Sequence, residues 1–395
     1  MLRNALALSL VSFFLTACVS AGARYDAPQP QAPSSFVNYG ALVDVSGEPA
    51  SWWDRFQDPA LDALLEQALD QNLELREAVQ RVEAGRALRS GARQEWLPRG
   101  GVVASQEERR LSSFETGSAP ARADRAAVGV SAGWEIDLFG RVRSLNRAAD
   151  ARLGGSEAIA EQVRIAIAAD VARTWFSLRA LEARERMLER YREQQRNLVG
   201  ILEVRFEEGF AGEADLERAR LLLAEDSATL AATRHAIRSE RHALAVLVGE
   251  MPGTWEPPLL EDQTPLALEP LALDTPVDLI RHRPDVIAAE RRFAAATSDI
   301  GVAAADYFPQ LRLDGFLGFL AGSSGDLGSS GSRSWFGGPS LTWGILDLGR
   351  VRARVRAADA EADAALTGWE QTVLVAVEEI ENALSALAAA QRPWR

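Results

Sequence analysis

The chain has 395 residues, 47% of them hydrophobic and 25% charged, so it is long and apolar enough to build a sizeable core. Its formal net charge of −13 disfavours nucleic acid as a partner, because proteins that bind nucleic acid usually present a basic face. Its single cysteine excludes a disulfide within the chain, and after the N-terminal segment no apolar run reaches the length of a membrane-spanning helix.

The N-terminus has the layout of an export signal. Arg3 supplies a positive charge, residues 5–15 form an apolar run too short to span a bilayer, and small residues lead to Cys18. The Leu-Thr-Ala-Cys sequence resembles the lipobox of bacterial lipoproteins, which implies removal of residues 1–17 and acylation of the cysteine. An ordinary signal peptide with an idle cysteine and a cysteine buried in a core are the alternatives. We expect residues 18–50, which contain four prolines, to form an acylated linker.

Two helices are predicted next. Asp58 can cap a helix, Pro59 suits its first position, and leucines and alanines follow at helical spacing. A longer helix is predicted to run to about Glu95, and Pro98 ends it.

The period changes from helical to alternating over residues 99–139. At residues 128–139, apolar residues alternate with glycine, serine and acidic residues, which predicts a strand with one apolar face. Residues 99–110 predict a weaker strand, and residues 111–126 are expected to connect the two strands as a hairpin.

A long helical hairpin follows. The helical period persists from Arg141 to Glu208, which would make a helix about 100 Å long. Two glycines in the turn at residues 209–212 end it, and a second helix is predicted from Glu213 to about Val248. Apolar residues at spacings of three, four and seven favour packing of the coiled-coil type.

The pattern then restarts. A proline-rich linker at residues 251–276 precedes a predicted helix at residues 283–309. An alternating segment at residues 311–320 predicts a strand, residues 321–334 predict a flexible loop, and a further strand is predicted near residue 340.

These elements repeat those of the first half. Pro98 recurs as Pro309, and the Gly-Arg-Val-Arg sequence that begins at Gly140 recurs at Gly349, each about 210 residues later. We therefore predict an internal duplication in which each half contains a helix, a pair of strands and a long helix. The two repeats are expected at residues 51–250 and 277–395.

Four amphipathic strands are too few to close a membrane barrel. Open strand edges are not tolerated in lipid, and bacterial barrels need about eight strands or more. If these strands lie in a membrane, several chains must share one barrel, and three copies would supply twelve strands. The alternative is a soluble protein whose strands pack on its own helices.

Five stretches resemble TolC/NodT-type outer-membrane efflux lipoproteins, the exit ducts of tripartite drug pumps. They are LTAC, WWDRFQDPALDALLEQAL, WEIDLFGRVR, RFEEGFAGEADL and RHRPDVIAAERRFAAATSDIGVAAADYFPQL. The resemblance implies an α+β membrane protein with a long α-helical hairpin tunnel and four transmembrane β-strands per chain. It also implies a homotrimer with a twelve-stranded barrel in the outer membrane. The tunnel would extend into the periplasm and dock on an adaptor protein that links it to an inner-membrane transporter.

Three groups of candidate site residues follow. Cys18 would carry the lipid, and Val19 after it, rather than aspartate, fits delivery to the outer membrane. By the resemblance, the turn between the long helices would be the tunnel tip that meets the adaptor, with Arg205, Gly209, Phe210, Ala211, Gly212 and Asp215 as contacts. Glu135 and Asp137, on the polar face of a strand, are lumen-facing candidates that would favour cations. A plain hairpin turn and solvated carboxylates without a selective role are the alternatives.

The second repeat departs from the family pattern. By the repeat, its hairpin tip would fall beyond Arg395, and Pro393 lies where the helix should continue. In the family that second hairpin carries the acidic ring that narrows the periplasmic mouth, so the position of this gate cannot be assigned here. We expect the second repeat to be truncated before its tip, and hence an incomplete or unstable tunnel wall.

The leading hypothesis is a passive outer-membrane channel for efflux of drugs and other small molecules. A type I protein secretion duct and a non-conducting, lipid-anchored coiled-coil scaffold are the alternatives. The sequence contains no phosphate-binding loop, nucleophilic serine elbow or zinc-protease motif, so we expect neither an enzyme nor a cofactor. His235 and His242 lie on one face of a predicted helix among arginines, which favours a solvated surface over a metal site.

Overall fold

The structure is a computed structural model that describes residues 25–30, 33, 35–36, 43–44, 52–117, 121–258, 271–272 and 275–391. Cys18, Val19, most of the predicted linker at 18–50 and part of that at 251–276 lie outside these residues. The chain forms two compact units. The first takes residues 1–32, 82–158 and 280–380, and the second takes residues 33–81, 159–279 and 381–395. Each unit therefore draws on both predicted repeats.

The described residues are mainly helical. The helices of seven residues or more are α1 (Pro59–Gln71), α2 (Leu73–Gln94), α3 (Arg141–Glu207), α4 (Glu213–Leu247), α5 (Pro276–His282), α6 (Pro284–Ala305) and α7 (Leu348–Gln391). A four-residue helix spans Ser113–Thr116. The strands of the main sheet are β1 (Arg99–Leu111), β2 (Ala121–Ile136), β3 (Gln310–Ala321) and β4 (Arg333–Thr342). A two-residue strand, Val43–Asp44, pairs in parallel with Leu271–Ala272. No helix within the described part of the chain is long and apolar enough to cross a membrane.

The helix limits follow the signals in the sequence. The Asp58 side chain accepts hydrogen bonds from the backbone N–H groups of Ala60 and Leu61 at 3.1 and 3.2 Å, with Pro59 at the first helical position. The two long helices predicted after residue 140 are confirmed as α3 and α4, each ending one residue before its predicted limit.

The sheet lies in the first unit and is antiparallel throughout, in the order β1-β2-β3-β4. The predicted connection at residues 111–126 is wrong in part, because β2 begins at Ala121. Residues 121–126 lack alternating apolar side chains, but they pair one by one with β1, from Ala121 opposite Leu111 to Ala126 opposite Gln106. Backbone hydrogen bonds therefore extend the hairpin beyond the part that the side-chain pattern marks.

The helices of the first unit pack through small and apolar side chains. One cluster joins the end of α5 and the start of α6 to α7: Ile280, Val286, Ala289, Trp369, Val373 and Ala376. Beside it, Arg283 donates hydrogen bonds to Asp285 at 2.7 Å and to Glu379 at 2.5 Å. The N-terminal segment reaches α6 through Tyr25, whose hydroxyl donates to Glu290 at 2.6 Å. Burial, followed by this hydrogen bond, raises the pKa of Tyr25.

The second unit has a core of its own, where α1 packs against α3 and α4. Its fully or nearly fully buried members include Leu61, Leu64, Leu65, Val171, Trp175, Leu178, Leu244 and Val248. Asp58 joins this core, because its second carboxylate oxygen accepts hydrogen bonds from Trp175 Nε1 at 2.9 Å and from the Arg179 guanidinium at 2.7 Å. Four donors thus satisfy one buried carboxylate, which fixes the start of α1 on α3.

Ion pairs connect α3 and α4 along their length. Arg234 of α4 contacts Glu185 at 2.7 Å and Glu189 at 2.5 Å, both on α3. Nearer the turn, Arg220 contacts Glu203 at 2.8 Å. The sequence numbers of the partners rise on one helix as they fall on the other, so the two helices form the predicted antiparallel hairpin.

Candidate functional site

The sheet has one apolar face and one polar face. Residues directly opposite each other on neighbouring strands share a face, so the register shows on which face of the sheet each residue lies. The row Val102, Val130, Leu317 and Trp335 crosses all four strands on the apolar face. The next row along, Gly101, Ser131, Phe316 and Phe336, lies on the opposite face.

The apolar face is exposed in the single chain. Val102 is 80% exposed, Leu317 is 69% exposed and Trp335 is 77% exposed. On β2 the uncharged, mostly apolar part of this face runs from Ala126 to Ile136, ten residue steps that span about 34 Å of strand. If the strand is tilted by 35–45° from the barrel axis, the height of this band along the axis is roughly 24–28 Å, which matches the apolar belt of membrane barrels.

Charged and aromatic residues border this band. Beyond one end, on the same face, Arg110 lies opposite Arg122, and Arg122 forms an ion pair with Glu108 at 2.7 Å. At the other end, the indole of Trp134 donates a hydrogen bond to the backbone oxygen of Trp96 at 3.0 Å. Charged groups beyond the band and tryptophan at its edge are typical of a lipid-facing surface.

The tryptophan contact occurs twice. In the second half of the chain, the indole of Trp343 donates to the backbone oxygen of Tyr307, also at 3.0 Å. Trp134 and Trp343 occupy matching positions in the two predicted repeats, as do Trp96 and Tyr307. The same tertiary contact therefore fixes the helix-to-strand connection in each half of the chain.

The polar face carries small and charged side chains. Gly133 and Asp314 share a row, and Ser340 donates a hydrogen bond to Asp314 at 2.5 Å. Arg312 lies 3.6 Å from the same carboxylate. This face also holds the aliphatic side chains Val103, Leu111 and Leu320. Its aromatic side chains are Phe316 and Phe336, whose rings stack with centroids 6.0 Å apart and planes inclined by 19°.

Glu135 and Asp137, predicted to face a lumen, both have partners at the junction of β2 and α3. Glu135 accepts hydrogen bonds from the Arg141 guanidinium at 2.7 and 2.6 Å, and these bonds raise the pKa of Arg141. Asp137 accepts from the backbone N–H groups of Val142 and Arg143 at 3.1 and 3.0 Å, and its side chain is only 3% exposed. Carboxylate charge at a helix N-terminus is stabilising, so the geometry gives Asp137 a capping role.

The predicted tip is a tight turn between α3 and α4. Gly209 has φ +79°, the Phe210 N–H donates to the Arg205 carbonyl at 2.7 Å, and the Gly209 N–H donates to the Phe206 carbonyl at 3.0 Å. This is the Schellman arrangement, which needs a left-handed residue after the helix. Gly212 then precedes α4 without a side-chain cap.

The surface of the tip combines an exposed ring with charges. Phe210 is 71% exposed, Arg205 and Asp215 are exposed, and Ala211 is partly buried. Behind the turn, a small buried cluster of Val199, Leu216 and Ala219 holds the two helices together. The six predicted tip residues therefore lie at one end of the hairpin, on a backbone that its own packing supports.

Two structural features escape the sequence patterns. The sequence predicts the capping role of Asp58 but not its hydrogen bonds to Trp175 and Arg179, because these partners lie more than a hundred positions away. The stacked Phe316 and Phe336 are also visible only once the strand register is known. Among the described residues, His235, His242 and the other potential ligands form no cluster of three or more that could hold a metal ion.

Comparison with known proteins gives consistent results. A family model described as outer membrane efflux protein matches residues 64–250 and 275–394. The chain is 31% identical to the outer membrane protein OprJ of Pseudomonas aeruginosa over 382 residues, which cover 95% of this chain and 79% of that protein. It is 33% identical to the solvent efflux pump outer membrane protein SrpC of Pseudomonas putida over 339 residues, which cover 84% and 70% of the two chains.

The fold is also similar to a solved channel. The superposition on the outer-membrane channel OprN has a TM-score of 0.88 at 36% sequence identity and covers 95% of this chain and 84% of that one. At 95% coverage of this chain, the similarity extends over both compact units.

Proposed function

Since the chain belongs to the outer membrane efflux protein family, we propose that it works as a passive homotrimeric duct coupled to a pump. The protein is an outer-membrane efflux channel that extends into the periplasm. Three copies would build the duct, and each would dock on a periplasmic adaptor protein. The transport energy would come from an inner-membrane transporter, and this chain would carry out no catalysis.

The two-faced sheet is the observation that carries the proposal. β1 and β4 are the outer strands of the sheet in one chain, so each presents unpaired backbone groups along one side. Such edges are costly in lipid, where water cannot satisfy them. Three copies that join β1 of one chain to β4 of the next would close twelve strands, with the apolar face towards lipid and the polar face towards the lumen.

Two further parts of the proposal concern the ends of the molecule. Acylation of Cys18 would anchor the mature N-terminus in the outer membrane after removal of residues 1–17. The hairpin tip would meet a periplasmic adaptor, because Phe210 offers an exposed ring on a turn whose backbone is fixed by Gly209. Aromatic residues with exposed surface are frequent anchors in protein interfaces.

The cargo would be small organic molecules. SrpC is named for a solvent efflux pump, and another relative, ArpC of Pseudomonas putida, is named for an antibiotic efflux pump. These names support efflux of small molecules over secretion of a protein.

Consecutive cysteine substitutions on β1 test the membrane orientation. Ala104 lies on the apolar face and Ser105 on the polar face, and both are exposed in the single chain. A membrane-impermeant maleimide applied to intact cells should label Ser105→Cys, because its thiol faces water in the lumen. It should leave Ala104→Cys unlabelled, because the reagent does not enter lipid. The unsubstituted chain controls for reaction at Cys18.

Equal labelling of both variants would contradict the membrane sheet and favour the non-conducting scaffold. Cross-linking of the same preparations should yield a species of three chains, and only single chains would contradict the shared barrel. For the tip, Phe210→Ala should weaken binding to the cognate adaptor without lowering the unfolding temperature, because the ring makes few contacts within the chain. Unchanged adaptor binding would remove Phe210 from the interface.

A further inference from the structure

The polar face of the sheet contains an aromatic pair that its surroundings do not lead one to expect. Phe316 and Phe336 lie directly opposite each other on β3 and β4, in the row that also holds Gly101 and Ser131. Their rings stack with centroids 6.0 Å apart and an angle of 19° between planes. Nearly parallel rings at this separation present a flat apolar surface.

The position of Phe316 has a structural explanation. In the nearest row on the same face, Gly129 lies opposite Gly318, and a Cβ atom on Gly129 would come within 2.7 Å of the Phe316 Cζ atom. A Cβ atom on Gly318 would lie 2.9 Å from the same ring atom. The Phe316 ring therefore lies across two glycines that lack side chains of their own, a known way to stabilise glycine within a sheet.

Phe336 has no such explanation. It covers no glycine closely, because the Cβ position of Gly338 has open space around it and that of Gly101 has no neighbour within 4 Å. In the single chain it is 61% exposed, and its ring is nearly parallel to that of Phe316.

We propose that the stacked pair of Phe316 and Phe336 is a weak binding site for planar aromatic molecules passing through the channel. The inference rests on the proposed function, because that function turns the polar face towards the lumen. The exposed face of Phe336 would stack on an aromatic ring of the cargo, and Phe316 would hold Phe336 in its orientation. Gly338, two residues along β4 on the same face, has open space at its Cβ position and leaves room for a flat molecule to approach Phe336.

The site would favour aromatic over aliphatic cargo of the same size and charge. Stacked aromatic pairs gain an energy beyond area burial that corresponds to about a two- to tenfold difference in affinity. A site of this strength retains a molecule only briefly, as conduction requires. In a trimer, three such sites would lie at the same level of the lumen.

Two matched cations test the preference. Phenyltrimethylammonium and cyclohexyltrimethylammonium share a charged group and differ in whether the ring is aromatic. The protein is reconstituted in a planar lipid bilayer and the concentration that halves the current is measured for each. Phenyltrimethylammonium should block at a concentration about two- to tenfold lower than the cyclohexyl compound.

Substitutions at one position identify the ring. Phe336→Leu keeps an apolar side chain but removes the aromatic face, so the difference between the two cations should disappear. Phe336→Trp should restore or increase it. Trp335→Leu, at the neighbouring residue on the opposite face, is the control and should leave the difference unchanged. Heat-modifiable migration on gels establishes that each variant has folded.

Different outcomes would contradict the aromatic site and the proposed duct function. A channel that conducts but is blocked equally by both cations would overturn the aromatic site and leave the channel intact. Equal loss of block by both cations in Phe336→Leu would show that the size of the ring, and not its aromatic face, causes the block, and would also overturn the site. A folded protein that conducts nothing would contradict the proposed duct, and the inference would fall with it.

Discussion

Apolar side chains are buried in the core of the second unit but exposed on one face of the sheet in the first unit. In the second unit, Leu61, Trp175 and Leu244 are completely buried within one chain. On the sheet, Leu317 and Trp335 are mostly exposed although their neighbours in the same row are also apolar. The second unit has its own core, whereas none of the described residues covers the apolar face of the sheet in the first unit.

This difference teaches that the two regions are built for different surroundings. The hydrophobic effect drives side chains out of water, so a water-exposed apolar face of this size would be unfavourable. In lipid the same face is already in an apolar solvent, and its polar backbone becomes the expensive part. Stability of the helical core should therefore depend on packing, while stability of the sheet should depend on backbone pairing.

The largest expected effect comes from a buried tryptophan. Trp175→Ala removes a completely buried ring and its hydrogen bond to Asp58, and should lower the free energy of unfolding by about 3–5 kcal/mol. Denaturant unfolding of the detergent-solubilised protein, followed by helical circular dichroism, measures it. The matched change on the sheet, Trp335→Ala, should have little effect because detergent already surrounds the ring. Similar losses in both variants would contradict the comparison.

Backbone pairing in the sheet is tested next. A Cβ atom at Gly318 would overlap the backbone of β2, at the Val128 carbonyl oxygen and the Gly129 Cα atom. Gly318→Ala should therefore push the strands apart at a cost of about 1–3 kcal/mol, seen as a lower temperature for loss of heat-modifiable migration. Gly338→Ala is the control on the same face, because its Cβ position is open. If both substitutions have the same effect, the close approach of β2 and β3 is not needed for the fold.

A smaller effect is expected at the tip of the helical hairpin. Gly209 has φ +79°, so Gly209→Ala places a side chain in the left-handed region and should cost about 1 kcal/mol. Gly200, nine positions earlier in α3, has open space at its Cβ position. Gly200→Ala should instead stabilise the helix by up to about 1 kcal/mol. The two variants should move the thermal unfolding midpoint in opposite directions, and a gain from both would show that the turn adapts.

The smallest expected effects are those of two carboxylates in α6, which should respond to pH with opposite signs. Burial raises the pKa of Asp285, but hydrogen bonds and charge from Arg283 lower it by more, so the pKa lies below its ordinary value. Burial raises the pKa of Asp299, and Arg152 only partly offsets this effect. The folded state therefore binds a proton less readily than the unfolded chain at Asp285 and more readily at Asp299.

The sign of each contribution follows. Asp285 stabilises the fold above its ordinary pKa near 4, and this contribution is lost as the pH falls through its lower folded pKa. The contribution of Asp299 to the stability of the fold is present at low pH and is lost as the pH rises from its ordinary pKa through its raised folded pKa. At pH 7, Asp285→Asn should lower the unfolding midpoint and Asp299→Asn should raise it. Unfolding midpoints measured from pH 3 to pH 7 test both, and parallel curves for the two variants would contradict the assignment.

The sequence was sufficient for features that depend on neighbours along the chain. Asp58 and Pro59 mark the start of α1, and the two glycines near residue 210 mark the turn between α3 and α4. The two-faced character of β2 and β3 follows from alternation alone. Caps, turn residues and periodicity act within a few residues, so each can be recognised locally.

Only the tertiary structure decided how distant segments meet. The first part of β2 has no strand pattern, and it becomes a strand because β1 offers backbone partners. The stacking of Phe316 on Phe336 depends on a register that a shift of one residue would abolish. The buried bonds of Asp58 to Trp175 and Arg179 likewise join separate helices. Local signals determine which elements form, whereas their pairing depends on burial and hydrogen bonding summed over the whole fold, which no single stretch of sequence contains.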